Sequence, residues 1–165
     1  MTVQEFKNQA IEQLKETSPS ARLDVEILLS FSLKIDKTKL LLNRNMEIPE
    51  VNLSWLSDAL LKRRQGLPVA YITGNKEFYG YNFIVSPAVL IPKPDTEILV
   101  ERAVELILEK MENNPNRILT VCDMCTGSGC IALSVLRTLT DTYKISYENL
   151  PSFTLADISE PALEI

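Results

Sequence analysis

Apolar residues recur every three to four positions through the first sixty-odd residues, and this period predicts helices. Val3, Phe6, Ala10 and Leu14 share one face, and Thr2 with Glu5 supplies a capping box ahead of them. Pro19 ends that segment or opens the next. Leu23, Ile27 and Leu28 carry the same period through Phe31, which assigns them to the core side of a second helix. Leu40 to Leu42 mark a short third helix. Leu53, Leu56 and Leu60 mark a fourth, with Gly66 as its C-terminal stop. The expected product is a small helical bundle.

The pattern changes after Pro68. Tyr71, Ile72, Phe78, Tyr79, Tyr81, Phe83 and Val85 are aromatic or β-branched, and Gly80 stands where a tight hairpin turn belongs. Pro87, Pro92 and Pro94 then impose a stiff, extended passage. Asp95 or Thr96 caps a further helix carrying Leu99, Ala103, Leu106 and Lys110, and residues 113–116 form a loop. Ile118 to Cys122 reads as a short buried strand, Gly127 and Gly129 as a turn, and Ile131 to Leu139 as a helix. Phe153, Leu155 and Ile158 give a second strand ending near Asp157, with Ser159 capping a helix at Pro161. Strand, glycine turn, helix and strand in that order open a doubly wound α/β domain. The fold class is therefore α+α/β. It comprises a helical bundle over 1–67, a β-hairpin linker over 68–94, and the opening βαβ part of an incomplete α/β domain over 95–165.

Composition narrows the function. The chain has 165 residues and a net charge of −5. Neutralising bare nucleic acid needs a surplus of Lys and Arg, so direct nucleic-acid binding is not expected. The one dense basic run, Lys62-Arg63-Arg64, reads as a solvated cluster offsetting a helix dipole. The three cysteines crowd between 122 and 130, which is not a disulfide framework and fits a reducing cytoplasm. No apolar run approaches the roughly 18 residues of a membrane span. With no histidine, His-dependent triads are excluded, and three cysteines fall short of a four-ligand zinc site.

The chemistry-bearing segment is Asp123-Met124-Cys125-Thr126-Gly127-Ser128-Gly129. It follows a strand and opens a helix, where glycines let a ligand approach the backbone. Asp157, at the end of the next strand, can accept the two hydroxyls of a ribose. The segment from Gly127 to Ala132 also fits a dinucleotide fingerprint. Asp123 distinguishes the cofactors. A carboxylate beside the loop repels a pyrophosphate, whereas it attracts the α-ammonium and sulfonium of S-adenosylmethionine. The methyl donor is thus expected over NAD, with Asp123, Cys125, Thr126, Gly127, Ser128, Gly129 and Asp157 as the binding set and no metal. Cys122 reads as a small apolar strand residue, not as half of a redox pair.

With these residues in place, the chain resembles the protein-(glutamine-N5) methyltransferases that act on class-one peptide-chain release factors. The segment Ser20 to Leu29 resembles that family's N-terminal helical signature. Arg63 to Gly74 and Glu77 to Gly80 resemble its linker hairpin, Val89 to Glu97 the lead into its catalytic domain, and Asp123 to Ile131 its cofactor loop. Two positions depart from the family's habit: Cys125 stands where Gly is often found, and Lys93 where Arg is common.

The resemblance implies S-adenosylmethionine as cofactor, a release factor as protein partner, a cytoplasmic setting and a role in translation termination. It also implies an Asn-Pro-Pro-Tyr motif whose Asn and a proline carbonyl hold the substrate amide. That motif is absent here, and Asn114-Pro115 precedes the cofactor loop and does not replace it. No catalytic residue is assigned. The chain reads as a truncated, inactive version of a larger enzyme, because two core strands cannot bury both faces of a parallel sheet. The other readings are a non-catalytic module that binds release factors and a fragment of an NAD-dependent oxidoreductase.

Overall fold

The computed structural model describes residues 1–165. The chain divides into two compact units, Met1–Thr73 and Gly74–Ile165.

In the first unit, α1 (Val3–Leu14) starts at the capping box. The Thr2 hydroxyl accepts from the Glu5 N–H, and the Glu5 carboxylate accepts from the Thr2 N–H at 2.8 Å. Val3, Phe6, Ala10 and Leu14 are buried, as their spacing requires. Helices α2 (Ala21–Leu33), α3 (Lys37–Leu42), α4 (Glu50–Arg64) and α5 (Val69–Thr73) complete the bundle around Val25, Leu28, Leu29, Leu40, Leu56 and Leu60.

Three expectations change here. Leu23, Ile27 and Phe31 are exposed, and α2 buries the side bearing Ala21, Asp24, Val25, Leu28 and Leu29. Apolar residues run most of the way round this helix, so periodicity alone did not choose its inward face. Arg63 is not solvated: its Nε lies 2.7 Å from Asp24 Oδ2 and its Nη2 lies 3.0 Å from the Ser18 hydroxyl. Tyr71 and Ile72 are helical, because the Pro68 carbonyl accepts from both of their N–H groups and starts α5.

The second unit opens with a hairpin, β1 (Asn75–Phe78) against β2 (Tyr81–Ile84), antiparallel with Phe78 opposite Tyr81. Its two turn residues, Tyr79 and Gly80, have φ of 53° and 77°. Two successive left-handed residues define the turn that matches strand twist, and glycine meets the second at no steric cost. The Gly80 N–H donates to Glu77 Oε1 at 2.7 Å, and the Tyr79 N–H to Glu97 Oε1 at 3.0 Å. Residues 85–93 are irregular, and a single 3-10 turn at Pro94–Thr96 leads into α6 (Glu97–Asn113). Neither Asp95 nor Thr96 caps α6 with its side chain. Helix α6 buries Val100, Val104 and Ile107 and leaves Leu99 and Leu106 exposed.

Strand β3 (Thr120–Met124) runs parallel to β4 (Ser152–Ala156), with Asp123 opposite Leu155, and α7 (Cys130–Asp141) connects them. Val121 and Phe153 pack against the cluster of Val100, Val104, Ile107, Val135 and Leu139. The strand expected to be buried is not. Ile118 and Cys122 are exposed, and Met124 is 69% exposed, because helices cover only the face that carries Val121 and Phe153. Ser159 precedes α8 (Glu160–Leu163) without a side-chain cap.

Helix α7 contains one local misfit. Ser134 is 0% exposed, and its hydroxyl has no hydrogen-bond partner. A buried unpaired hydroxyl is destabilising, so Ser134→Ala is expected to raise stability by about 1 kcal/mol in urea unfolding. Unchanged or lower stability would show that the hydroxyl is satisfied in solution.

Candidate functional site

The sequence of β3 delivers Asp123 one residue before the strand ends, and the turn that follows is built by hydrogen bonds to β4. The Thr126 N–H donates to the Ala156 carbonyl at 3.0 Å, carrying the ladder past the last strand residues. The Gly127 N–H donates to Asp157 Oδ2 at 2.9 Å, and the Ser159 N–H to Asp157 Oδ1 at 2.9 Å. Asp157 thus ties the glycine turn to the segment leading into α8. These two backbone donors, Ser159 first and Gly127 second, hold the Asp157 carboxyl below the usual carboxylate range.

Asp123 works from the other side of the turn. Its Oδ2 accepts from the Thr126 hydroxyl at 2.9 Å and from the Ala132 N–H at 3.4 Å. The second contact compensates the amino-terminal end of α7, whose exposed N–H groups favour negative charge. Both of these contacts fall on Oδ2.

Two residues of the turn show its backbone demands. Gly129 has φ 71°, and a Cβ there would meet Leu133 Cδ1 and Leu155 Cδ2, each at 3.2 Å. Cys125 adopts φ 62°, a left-handed conformation that costs side-chain-bearing residues roughly 1 kcal/mol. Cys125→Gly is therefore expected to stabilise the second unit by about that amount, read as a shift in denaturation midpoint. A lower midpoint would mean that the thiol makes contacts worth more than the strain.

The structure brings Asp123, Thr126, Gly127 and Asp157 together at the carboxyl ends of the two parallel strands. Cys125 is exposed beside them. Ser128 lies elsewhere: it lines a hollow of about 280 Å³ with Tyr81, Leu133 and Arg137. Gly129 is buried and serves packing. Sequence reasoning missed Val89, whose Cβ stands 4.0 Å from where a side chain on Gly127 would begin. The irregular passage over 85–93 therefore borders the turn, and no local signal in the sequence marks that approach.

Cys130 is buried, and burial raises its thiol pKa above the ordinary value, so it is not poised as a thiolate. No group of three or more His, Cys, Asp or Glu is placed to hold a metal, and no helix is long and apolar enough to cross a membrane.

A helical unit followed by a mixed unit, with a glycine turn and helix joining two parallel strands, places the chain among α+α/β proteins. Comparison with known proteins shows what the chain is similar to. Residues 5–74 match the family model described as the PrmC N-terminal domain. The chain is 42% identical over 138 residues to the release factor glutamine methyltransferase of Clostridium acetobutylicum, covering 83% of this chain and 46% of that protein. It is 37% identical over 166 residues to the protein of the same name from Koribacter versatilis, covering 100% and 54%. With the Escherichia coli protein of that name it shares 38% over 151 residues, covering 92% and 52%. The chain is similar over most of its length to release factor glutamine methyltransferases, and it spans about half the length of the curated relatives it matches.

Proposed function

We propose that this chain is the front portion of an S-adenosylmethionine-dependent enzyme that methylates a glutamine side chain of peptide-chain release factors. One observation supports the cofactor above others: two carboxylates, Asp123 and Asp157, flank a glycine turn at adjacent strand ends, and no Lys or Arg occurs between 118 and 136. That field suits a cationic ligand and opposes a pyrophosphate. The β3–α7–β4 unit is then the start of a Rossmann-like sheet, whose ligands gather outside the carboxyl ends of the strands.

In this reading Asp157 accepts the ribose hydroxyls with the lone pairs that Gly127 and Ser159 do not use. Asp123 would hold the ammonium of the donor, and the backbone from Cys125 to Gly127 would contact its adenosine. When bound, the donor supplies an electrophilic methyl group on its sulfonium. The target amide nitrogen is a poor nucleophile because its lone pair is delocalised into the carbonyl, so catalysis depends on alignment. The residues that would align it are not among these 165. Transfer is accordingly assigned to a protein of the relatives' full length. The helical unit, Met1–Thr73, serves recognition of the release factor.

Isothermal titration of S-adenosylmethionine into the 165-residue chain, with NAD as control, tests this reading. Saturable binding of the methyl donor alone is expected. Saturable NAD binding with no response to the donor would overturn it. Mixed with donor and a class-one release factor, the 165 residues are expected to transfer no methyl group. Turnover there would overturn the assignment of catalysis to the longer protein.

A further inference from the structure

Thr126 is set deeper than a residue that reaches for a ligand. It is 8% exposed and stands between Cys125 at φ 62° and Gly127 at φ 55°. The two left-handed neighbours reverse the chain, and the Thr126 side chain returns to the end of β3. Its backbone is held on both sides. The N–H donates to the Ala156 carbonyl of β4 at 3.0 Å, and the carbonyl accepts from the Gly129 N–H at 2.9 Å, one residue before α7. A β-branched side chain on so fixed a backbone has little torsional freedom. Its hydroxyl donates to Asp123 Oδ2 at 2.9 Å.

That bond sets the orientation of Asp123. The terminal torsion of an aspartate is broad and roughly two-fold, so a carboxylate at a strand end does not choose its own plane. The other contact to Oδ2, from the Ala132 N–H, is long at 3.4 Å. A hydroxyl donating to a carboxylate makes a charge-assisted bond, and here it is the shorter and stronger of the two. Packing does not account for a threonine at this position. Valine has the same branched shape, and what threonine adds is the donor.

We propose that Thr126 is a positioning residue: its buried hydroxyl holds the Asp123 carboxylate in the orientation that receives the α-ammonium of the methyl donor, and Thr126 itself does not touch the donor. The proposal rests on the cofactor reading above and changes the part Thr126 plays in it, from a binding residue to one that acts through Asp123. The gain is preorganisation, since a carboxylate already turned loses no torsional freedom when the ligand arrives.

The test is titration calorimetry on the 165-residue chain with two ligands. S-adenosylmethionine carries the ammonium and the sulfonium, and methylthioadenosine keeps the adenosine and has neither charge. Thr126→Val is expected to weaken S-adenosylmethionine about tenfold and to leave methylthioadenosine unchanged. Thr126→Ser, which restores the donor, is expected to recover the S-adenosylmethionine affinity. In an Asp123→Asn background, Thr126→Val is expected to cost nothing further, because the two residues act as one unit. Hydrogen exchange at the Gly129 amide reports whether the turn survives. Where that amide loses protection in Thr126→Val, Thr126→Ala is read in its place. Equal losses for the two ligands, no recovery with Thr126→Ser, or an undiminished cost in Asp123→Asn would overturn the positioning role and leave the cofactor reading standing. Wild-type binding of neither ligand would overturn both.

Discussion

Replacing Glu26 with alanine is expected to cost the helical unit about 3–5 kcal/mol, the usual penalty for leaving a buried charge without its partner. Glu26 is 6% exposed, and its Oε1 lies 2.7 Å from Lys7 Nζ, itself almost buried. Lys37 approaches Oε2 at 3.2 Å, and Arg22 approaches Oε1 at 3.3 Å from the exposed side. The network is asymmetric. Removing Glu26 strands Lys7 in the bundle, whereas Lys7→Met leaves Glu26 with two cations. Lys7→Met is therefore expected to cost less than half as much, and Lys7→Met/Glu26→Leu to recover most of the loss, since apolar replacements of buried pairs pack well. Urea unfolding of the three variants checks the order. Equal losses for the two single variants would mean that Lys7 is hydrated in solution.

The same network makes the unit acid-sensitive over a defined window. Lys7 first, then Lys37 and Arg22, lower the Glu26 pKa to about 2 against an ordinary 4.5. A folded-state pKa below the unfolded value stabilises the fold at pH above 4.5, and that contribution disappears as pH falls towards 2. Unfolding midpoints of the wild type are expected to fall across this window more steeply than those of Lys7→Met/Glu26→Leu. Parallel curves would place the acid sensitivity elsewhere.

Asp157→Ala is the second large effect. It deletes the acceptor assigned to the ribose and also the two bonds that hold the Gly127 and Ser159 N–H groups at 2.9 Å. Donor affinity is expected to fall on the order of a hundredfold, as when charge-assisted hydrogen bonds to a ligand are lost. Hydrogen exchange offers a readout that needs no ligand: the Gly127 and Ser159 amides are expected to lose protection, while those inside α7 keep theirs. Asp157→Asn separates the two roles. It retains one carbonyl acceptor for a backbone N–H and loses the charge, so protection falls at one amide and affinity still drops. Unchanged donor affinity in both variants would remove Asp157 from the cofactor site and leave it a tie between loops.

Local signals proved legible wherever one physical cause dominated. The Thr2–Glu5 capping box, the inward stripe from Val3 to Leu14, the turn at Gly80 and the strand–turn–helix order around Gly127 depend on residues within a few positions of each other. Faces and partners were not legible where several arrangements satisfied the same pattern. Helix α2 has apolar residues on two sides, and α6 has Leu99 and Leu106 beside Val100 and Val104. The inward side was settled by what lay opposite, which no window of one helix contains.

By itself, the sequence determined the order of elements apart from α5 and the placement of Asp123 and Asp157 at successive strand ends, because these follow from local spacing, and it carried the family resemblance in contiguous segments. The tertiary structure alone decided that Asp24 and Glu26 are buried, since Arg63 and Lys7 reach them from other helices, 39 and 19 residues away. It alone turned Leu23, Ile27 and Phe31 outward and left Cys122 and Met124 uncovered on the sheet. Burial is a property of a side chain together with whatever packs against it, and those neighbours come from distant parts of the chain.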